Sequence, residues 1–125
     1  ARAGLILALV RALSQRRAIG DAELEGNIRK ARFLIAEHLD RDMDMAALAK
    51  DFHLSYPHFR RLFKRYTGLA PSQYHLQLRL NRARELLRGT SLSIKQVSAQ
   101  LGFESPYYFS RIFKKKTGLS PGKWR

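Results

Sequence analysis

Two arginines, Arg61 and Arg111, stand at the same place in two copies of one short sequence. Residues 58–74 read HFRRLFKRYTGLAPSQY and residues 108–124 read YFSRIFKKKTGLSPGKW, and eight of the seventeen positions are identical at an offset of 50. An arginine side chain carries a permanent charge and a planar fork of donors, which fits a partner that offers two acceptors side by side. The repeat therefore indicates two equivalent sites of polar recognition in one chain.

The positive charge of the chain is concentrated in the part that contains this repeat. The 125 residues hold 24 Lys and Arg against 10 Asp and Glu, a net charge of +14. Residues 1–51 hold nine cations and eight acids, whereas residues 52–125 hold fifteen cations and only two acids, Glu85 and Glu104. The second part alone thus has a net charge of +13. A cationic segment of this kind indicates a polyanionic partner, either nucleic acid or, less often, an anionic membrane.

Several classes of protein are disfavoured by the composition. The chain has no Cys, which excludes disulfide and thiolate chemistry and favours a reducing, cytoplasmic setting. Its four histidines, at positions 38, 53, 58 and 75, lack metal-ligand spacing, and no phosphate-binding loop or Ser/His/Asp arrangement is present. We therefore predict neither an enzyme nor a cofactor. The longest apolar run, LILALV at residues 5–10, is far shorter than the ~20 residues of a spanning helix. A signal peptide over residues 1–13 is disfavoured because no starting Met and no convincing cleavage site are present.

The first copy has the pattern of an amphipathic helix. Ser55 is suited to the N-cap, Pro57 to the first turn and Gly68 to the position just past the end. Apolar residues recur at i, i+3, i+4 and i+7 and predict a buried stripe of Phe59, Leu62, Phe63 and Tyr66. The opposite face is centred on Pro57, Arg61 and Lys64 and flanked by Arg60 and Arg65.

The second copy repeats the same arrangement. Ser105 is the predicted cap, Pro106 opens the first turn and Gly118 ends the helix. Its predicted buried stripe consists of Phe109, Ile112 and Phe113. Its outward face consists of Tyr107, Arg111 and Lys114, flanked by Ser110 and Lys115.

A short helical pattern precedes each copy. MDMAALAKDFHL covers residues 43–54 with Asp44 as cap, and SLSIKQVSAQLGF covers residues 91–103 with Ser93 as cap. A helix, a tight turn of about four residues and a second helix with one basic face are typical of a helix-turn-helix. Small Ala49 and Ser98 fit the close crossing of the two helices. His53 holds the turn position that Gly102 holds in the other copy, and His tolerates a positive φ better than most side chains.

These motifs resemble the AraC/XylS family of bacterial transcription regulators over about residues 27–125. The residues that carry the resemblance are RLFKRYTGLAPSQY at 61–74, RLNRARELL at 79–87, SIKQVSAQLGF at 93–103 and YFSRIFKKKTGLSP at 108–121. The resemblance implies an all-α fold of seven helices, with two homeodomain-like, three-helical helix-turn-helix subdomains joined by a long central helix. The expected division is a first unit over 27–69, a connecting helix over 70–88 and a second unit over 89–125, with the first helix at 27–39.

The central helix is also expected from the residues themselves. Pro71 suits its first position and Gly89 its end, and about 18 residues at 1.5 Å give roughly 27 Å. Successive major-groove faces of B-DNA lie ~34 Å apart, so a strut of this length could hold two recognition helices on one face of a duplex. Two unequal readers in one chain can read an asymmetric site. Tyr74 and Trp124 are predicted to close the first and the second core.

The resemblance places base contacts at the early positions of the two recognition helices, about residues 55–66 and 105–116. The predicted base-contacting residues are Pro57, Arg60, Arg61, Pro106, Tyr107 and Arg111. Arg61 and Arg111 suit guanine O6 and N7, whereas the two prolines depart from the usual pattern and offer only apolar contact, for example with a thymine methyl group. The predicted backbone-contacting residues are Tyr56, His58, Lys64, Arg65, Ser105, Tyr108, Ser110, Lys114 and Lys115.

The same residues allow other interpretations. Arg79, Arg82 and Arg84 on the central helix are interpreted as structural or solvated. The five aromatic residues of the repeat, at positions 59, 63, 109, 113 and 124, could stack on single strands, but their helical spacing favours a core. A non-specific architectural protein that binds DNA or RNA would need only the charge. The repeated N-cap residue, apolar stripe and turn favour recognition helices that insert into a groove of DNA.

Residues 1–26 leave two interpretations open. The stretch ARAGLILALVRALSQRR is helical in pattern, with Leu5, Ile6, Leu9, Val10 and Leu13 on one side. It is either a packing helix or the end of a linker or dimerisation helix from a sensing domain outside this chain. The resemblance implies a cytoplasmic, nucleoid-associated activator that uses promoter DNA and RNA polymerase as partners and can form a homodimer through that domain. No effector and no target sequence follow from these residues.

Overall fold

The computed structural model describes the backbone of residues 2–125 and the side chains of residues 4–16 and 20–125. Every regular element in this part of the chain is a helix. In chain order the helices are α1 (Arg2–Ala36), α2 (Met45–Asp51), α3 (Tyr56–Thr67), α4 (Pro71–Gly89), α5 (Ile94–Gln100), α6 (Pro106–Thr117) and α7 (Pro121–Trp124). The predicted all-α fold with two helix-turn-helix units, α2–α3 and α5–α6, is confirmed.

The first helix-turn-helix begins and turns at the residues that the sequence indicates. The Asp44 carboxylate accepts hydrogen bonds from the backbone N–H groups of Ala46 and Ala47, which caps α2. His53 adopts a left-handed φ of 57° in the turn, and the Ser55 hydroxyl oxygen then accepts from the His58 N–H to start α3. These caps satisfy backbone donors that a helix start leaves free.

The second helix-turn-helix has the same local design. Ser93 and Gln96 form a reciprocal capping box at the start of α5, with distances of 3.0 and 2.8 Å. Gly102 has a φ of 69° where the first unit has His53, so the chain makes the same bend with two different residue types. The Ser105 hydroxyl oxygen accepts from the Tyr108 N–H at 3.0 Å and caps α6.

The repeated TGL sequence forms the turn after each recognition helix. Gly68 and Gly118 end α3 and α6 in the left-handed region, with φ values of 84° and 90°. Thr67 donates its hydroxyl to the Phe63 carbonyl at 2.8 Å and accepts from the Leu69 N–H at 3.1 Å. Thr117 makes the equivalent pair of bonds in the second copy. The Gly68 and Gly118 N–H groups donate to the Lys64 and Lys114 carbonyls at 2.8 Å, which satisfies one of the carbonyls that the end of each helix leaves free.

Each helix-turn-helix is built on a separate apolar core, and α4 contributes to both. In the first core α1 buries Ile28, Ala31 and Ile35 beneath α2 and α3. In the second core α4 buries Leu80, Ala83 and Leu87 beneath α5 and α6, at the same spacing. The N-terminal half of α4 packs Tyr74 and Leu78 against the first core. The connecting helix is therefore also the first helix of the second unit.

An aromatic residue closes each core at its C-terminal side. The Tyr74 ring meets Phe63 edge-on with a centroid distance of 5.3 Å, and Trp124 meets Phe113 in the same way at 6.1 Å. This agrees with the expectation from the sequence. The inclusion of Tyr66 in the buried stripe of α3 was wrong, because the residue is 37% exposed at the end of that helix. The Arg65 guanidinium lies 6.0 Å from its ring centre.

Helix α1 is longer than the pattern indicated. It runs without a break through residue 26 and ends at Ala36, so residues 37–39 of the predicted first helix lie in the loop that follows. The side chains of the early apolar stripe are 52–65% exposed, so this stretch does not pack against either core. The division of the chain at residue 26 and the role of this stretch, as a packing helix or as a linker or dimerisation helix, stay predictions. No described helix is both long enough and apolar enough to cross a bilayer.

Candidate nucleic-acid interface

Helix α3 separates a buried aromatic face from an exposed cationic face. Phe59, Leu62 and Phe63 are buried in the first core. The residues that point away from this core are exposed and include the predicted base and phosphate contacts Pro57, His58, Arg60, Arg61, Lys64 and Arg65. This division follows from the 3.6-residue period of the helix, since the buried positions are three and four residues apart.

Helix α6 repeats this division in the second unit. Phe109 and Phe113 are buried, and Ile112 is half-buried beside them. The exposed face carries Pro106, Tyr107, Tyr108, Arg111, Lys114 and Lys115. An open surface depression is lined by residues of this helix, namely Tyr108, Arg111, Ile112, Lys114 and Lys115.

Arg111 has a neighbour on its own helix that Arg61 lacks. Its guanidinium carbon lies 5.8 Å from the ring centre of Tyr107, which is 71% exposed. This cation–π contact restricts the conformations of a long side chain before any partner arrives. Tyr107 and Arg111 are thus two of the predicted contact residues that the fold brings together.

Among the residues whose side chains are described, the cations of both exposed faces have no acidic partner. The ion pairs in the described part of the chain join Arg29 to Glu25, Arg41 to Asp40, Arg79 to Asp42, and Arg82 to Glu85. None of them involves α3 or α6. Glu85, one of only two acids in residues 52–125, is already paired on α4. The charge on the two faces is therefore left for an external anion.

Four of the predicted phosphate contacts also have structural roles. Tyr56 is half-buried against the first core, and Ser110 is half-buried on α6. The Ser105 hydroxyl oxygen already accepts a bond as the cap of α6. The Tyr108 ring lies 6.4 Å from Phe103, and nearly half of the residue remains exposed. These residues are at the edge of the exposed faces rather than at their centres.

The sequence did not indicate which groups the Arg79 side chain would bind. The residue is 5% exposed, and its guanidinium donates twice to the Leu101 carbonyl, at 2.9 and 2.7 Å, and once to Asp42 at 3.2 Å. Burial lowers the pKa of Arg79, and the charge of Asp42 opposes that shift. Its position between Leu78 and Leu80 is the one sequence signal of burial.

Two of the other three arginines of α4 lie nearer the surface and make contacts within or beside that helix. Arg82 is paired with Glu85, and Arg84 donates to the Asn81 side chain at 3.2 Å while its guanidinium lies 5.3 Å from the centre of the Trp124 ring system. Over the described residues, no group of three or more His, Asp and Glu side chains could hold a metal ion.

Comparison with known proteins connects this geometry with a family. A family model described as "Helix-turn-helix domain" matches residues 48–125. The transcriptional regulator GbdR of Pseudomonas aeruginosa is 42% identical over 77 residues, which are 62% of this chain and 21% of that protein. The chain thus spans about a fifth of this relative's length.

Solved structures have the same fold. A Chromobacterium violaceum regulator with an AraC-type DNA-binding domain is 35% identical, with a TM-score of 0.74 over 81% of this chain and 90% of that one. The DNA-binding domain of AdpA, solved in complex with a target DNA, is 30% identical, with a TM-score of 0.73 over 78% of this chain and 87% of that one. With the two helix-turn-helix units and their cationic faces, these matches show that the chain belongs to the AraC family of bacterial transcription regulators and carries its DNA-binding domain.

Proposed function

We propose that this chain binds double-stranded promoter DNA in a sequence-specific manner, with α3 and α6 in two successive major grooves. The observation that carries this proposal is the pair of equivalent helices, each with a buried aromatic face and an opposite face of unpaired cations. Both are held by α4, whose 19 residues span roughly 28 Å at 1.5 Å each. That length suits two readers one helical turn, ~34 Å, apart.

The proposed roles of the residues follow from their chemistry. Arg61 and Arg111 are at the centres of the two exposed faces and suit the paired acceptors of guanine. The remaining proposed base contacts are Pro57, Arg60, Pro106 and Tyr107. Phosphate contacts are proposed for Lys64, Arg65, Lys114 and Lys115, and at the edges of the faces for Tyr56, His58, Ser105, Tyr108 and Ser110. Such contacts fix the register of the protein on the duplex and carry no sequence information.

The wider role of the protein is proposed from its family. Activation of transcription, contact with RNA polymerase and action on the nucleoid in the cytoplasm are implied by the AraC resemblance. A homodimer through a domain outside this chain is implied in the same way. The regulators in this family support a binding role rather than catalysis for this part of the protein. A purely non-specific architectural role is not favoured, because charge alone would not require two copies of one cap, stripe and turn.

The test is a selection of bound sequences from random duplex DNA with the wild-type chain and two variants. Arg61→Ala should relax sequence preference in one sub-site only, and Arg111→Ala in the other only. Loss of a good bidentate contact costs ~1–3 kcal/mol, or roughly 5- to 150-fold for the preferred base. Lys115→Ala is the control, since loss of a phosphate contact should weaken all duplexes about equally. Unchanged preferences in both arginine variants would contradict the proposal.

The spacing of the two sub-sites gives an independent test. An insertion of five base pairs turns one sub-site about half a helical turn away from the other, because B-DNA has about 10–10.5 base pairs per turn. Helix α4 cannot follow this rotation without losing one of its two cores. One unit should therefore release its sub-site, as footprinting would show. Protection of both sub-sites at undiminished affinity would refute the two-groove arrangement.

A further inference from the structure

The loop at residues 37–44, which belongs to the first unit, touches the turn of the second unit at Gly102. A methyl group built at Gly102 would lie 2.3 Å from the Asp40 carbonyl oxygen and 2.6 Å from the Arg41 Cα. Both neighbours are backbone, so the two chain segments touch with no room for a side chain at this position. The first unit has His53 at the equivalent place, so the absence of a side chain is not a requirement of the turn itself.

One side chain bridges this junction. The Arg79 guanidinium donates through Nε and Nη2 to the Leu101 carbonyl, at 2.9 and 2.7 Å, and lies 4.0 Å from the centre of the Phe103 ring. Both partners belong to the turn of the second unit. Its Nη1 donates to Asp42, in the loop of the first unit, at 3.2 Å. A single buried residue of α4 thereby holds both units at once.

The repeated architecture shows that a unit does not need this arginine in order to fold. The core positions Ile28, Ala31 and Ile35 of α1 correspond to Leu80, Ala83 and Leu87 of α4 at an offset of 52. At that offset Arg79 corresponds to Asn27. The first unit thus builds the same three-helix core with a short amide at the position of the arginine. The arginine belongs to the junction between the units rather than to the repeated fold.

We propose that Arg79 is a positioning residue that fixes the orientation of α6 relative to α3 and so sets the spacing of the two DNA sub-sites. The effect on the spacing of the sub-sites rests on the proposed two-groove binding. The effect on the orientation of the two units does not involve DNA. Two linked modules gain affinity only when both can bind without strain, and the gain is typically ~10²–10⁴-fold. A junction held in one arrangement keeps that gain for one spacing of the sub-sites.

Arginine suits this position better than lysine does. Its planar fork can donate to the Leu101 carbonyl and to Asp42 simultaneously while one flat side lies on the Phe103 ring. A lysine has one terminal nitrogen and no flat surface, so it could satisfy only part of this set. Arg79→Lys should therefore behave as a loss of the junction, although the charge is retained.

The first experiment measures the junction without DNA. Because the chain has no Cys, Lys50→Cys on α2 and Ala99→Cys on α5 give two exposed positions for nitroxide labels in otherwise unchanged units. The distance distribution between the labels should be narrow in the parent chain and clearly broader with Arg79→Met, which fills a similar volume. Arg88→Met is the matched control, because it removes an exposed arginine of the same helix that lies over Trp124 and away from the junction. Asp42→Ala, at a side chain that is 89% exposed, tests the same junction if Arg79→Met fails to fold.

The second experiment measures DNA affinity for isolated and joined sub-sites. Arg79→Met should bind each half-site within about two-fold of the parent but lose on the order of ten-fold or more for the joined site, since only the gain from linkage is affected. It should also discriminate less against altered spacings, whereas Arg88→Met should not. An unchanged label distance distribution in both Arg79→Met and Asp42→Ala would overturn the inference even if DNA binding is intact. Absence of specific binding by the parent chain would instead refute the proposed function.

Discussion

Phe113→Ala should remove most of the stability of the second unit. Phe113 has no exposed surface, and its ring packs against Phe109 at 5.7 Å and against Trp124 at 6.1 Å. Replacement of a fully buried Phe by Ala costs ~3–5 kcal/mol, because apolar burial is lost and a cavity remains. A domain of this size has only ~5–15 kcal/mol of stability, so we expect a fall in melting temperature on the order of 10 °C or more.

The chain contains a matched control for this substitution. Phe33 lies on α1 and is 64% exposed, so Phe33→Ala should change the unfolding free energy by no more than about 0.5 kcal/mol. Both variants can be compared by thermal and urea unfolding followed by circular dichroism. Phe63→Ala, the equivalent of Phe113→Ala in the first unit, should be as destabilising. If Phe113→Ala melted within a degree or so of Phe33→Ala, our assignment of the buried stripe would be wrong.

Two further predictions concern salt and pH. With about 6–10 phosphate contacts, a rise in salt from 50 to 200 mM should weaken DNA binding roughly 10³–10⁵-fold. Lys115→Ala should reduce the slope of log affinity against log salt concentration by about 1. An affinity that does not change with salt would contradict a phosphate-dominated interface. Burial lowers the pKa of His75 below its ordinary 6.5, with the nearby Arg79 acting in the same direction and Asp42 and the bond to the His38 carbonyl opposing it. Folding therefore favours the neutral imidazole. Its contribution to the stability of the fold is present above pH ~6.5 and is lost as the pH falls through the lower pKa of the folded state. His75→Gln should reduce the fall in melting temperature between pH 7 and 5. His58→Gln, at an exposed histidine, is the control and should leave that fall unchanged. Equal pH profiles for the two variants would show that protonation of His75 is not coupled to unfolding.

Local elements of this protein were predictable because each depends on residues close in sequence. Capping by Asp44, Ser55 and Ser93 is determined by side chains that bond backbone groups two or three residues away. The left-handed turn at Gly102 follows from the conformational freedom of that residue type. The helical period alone indicated which face of α3 and α6 is buried, and so which arginines are exposed.

Two errors of the prediction came from the lengths of helices and their neighbours. Tyr66 fits the apolar spacing of α3 but lies beyond the part of that helix that the core covers. Helix α1 ends at Ala36 instead of the predicted residue 39, and its helical conformation is continuous through residue 26, with Gly20 and Gly26 in its interior. Periodicity predicts which side of a helix is apolar but does not indicate how far another element extends along it.

The sequence by itself determined the helices, the repeat, the position of the charge and the residue types on the two exposed faces. The sequence also indicated that a central helix joins the two units, but the tertiary structure alone decided how the units contact each other across it. The double use of α4, the direct backbone contact at Gly102 and the bonds of Arg79 to both units connect residues that are 22 to 62 positions apart. Such contacts depend on where separate helices lie in space, and a local pattern has no information about that arrangement. The physical reason is that helix caps and periodicity act within one or two turns, whereas the orientation of one unit against the other is fixed by packing between distant segments.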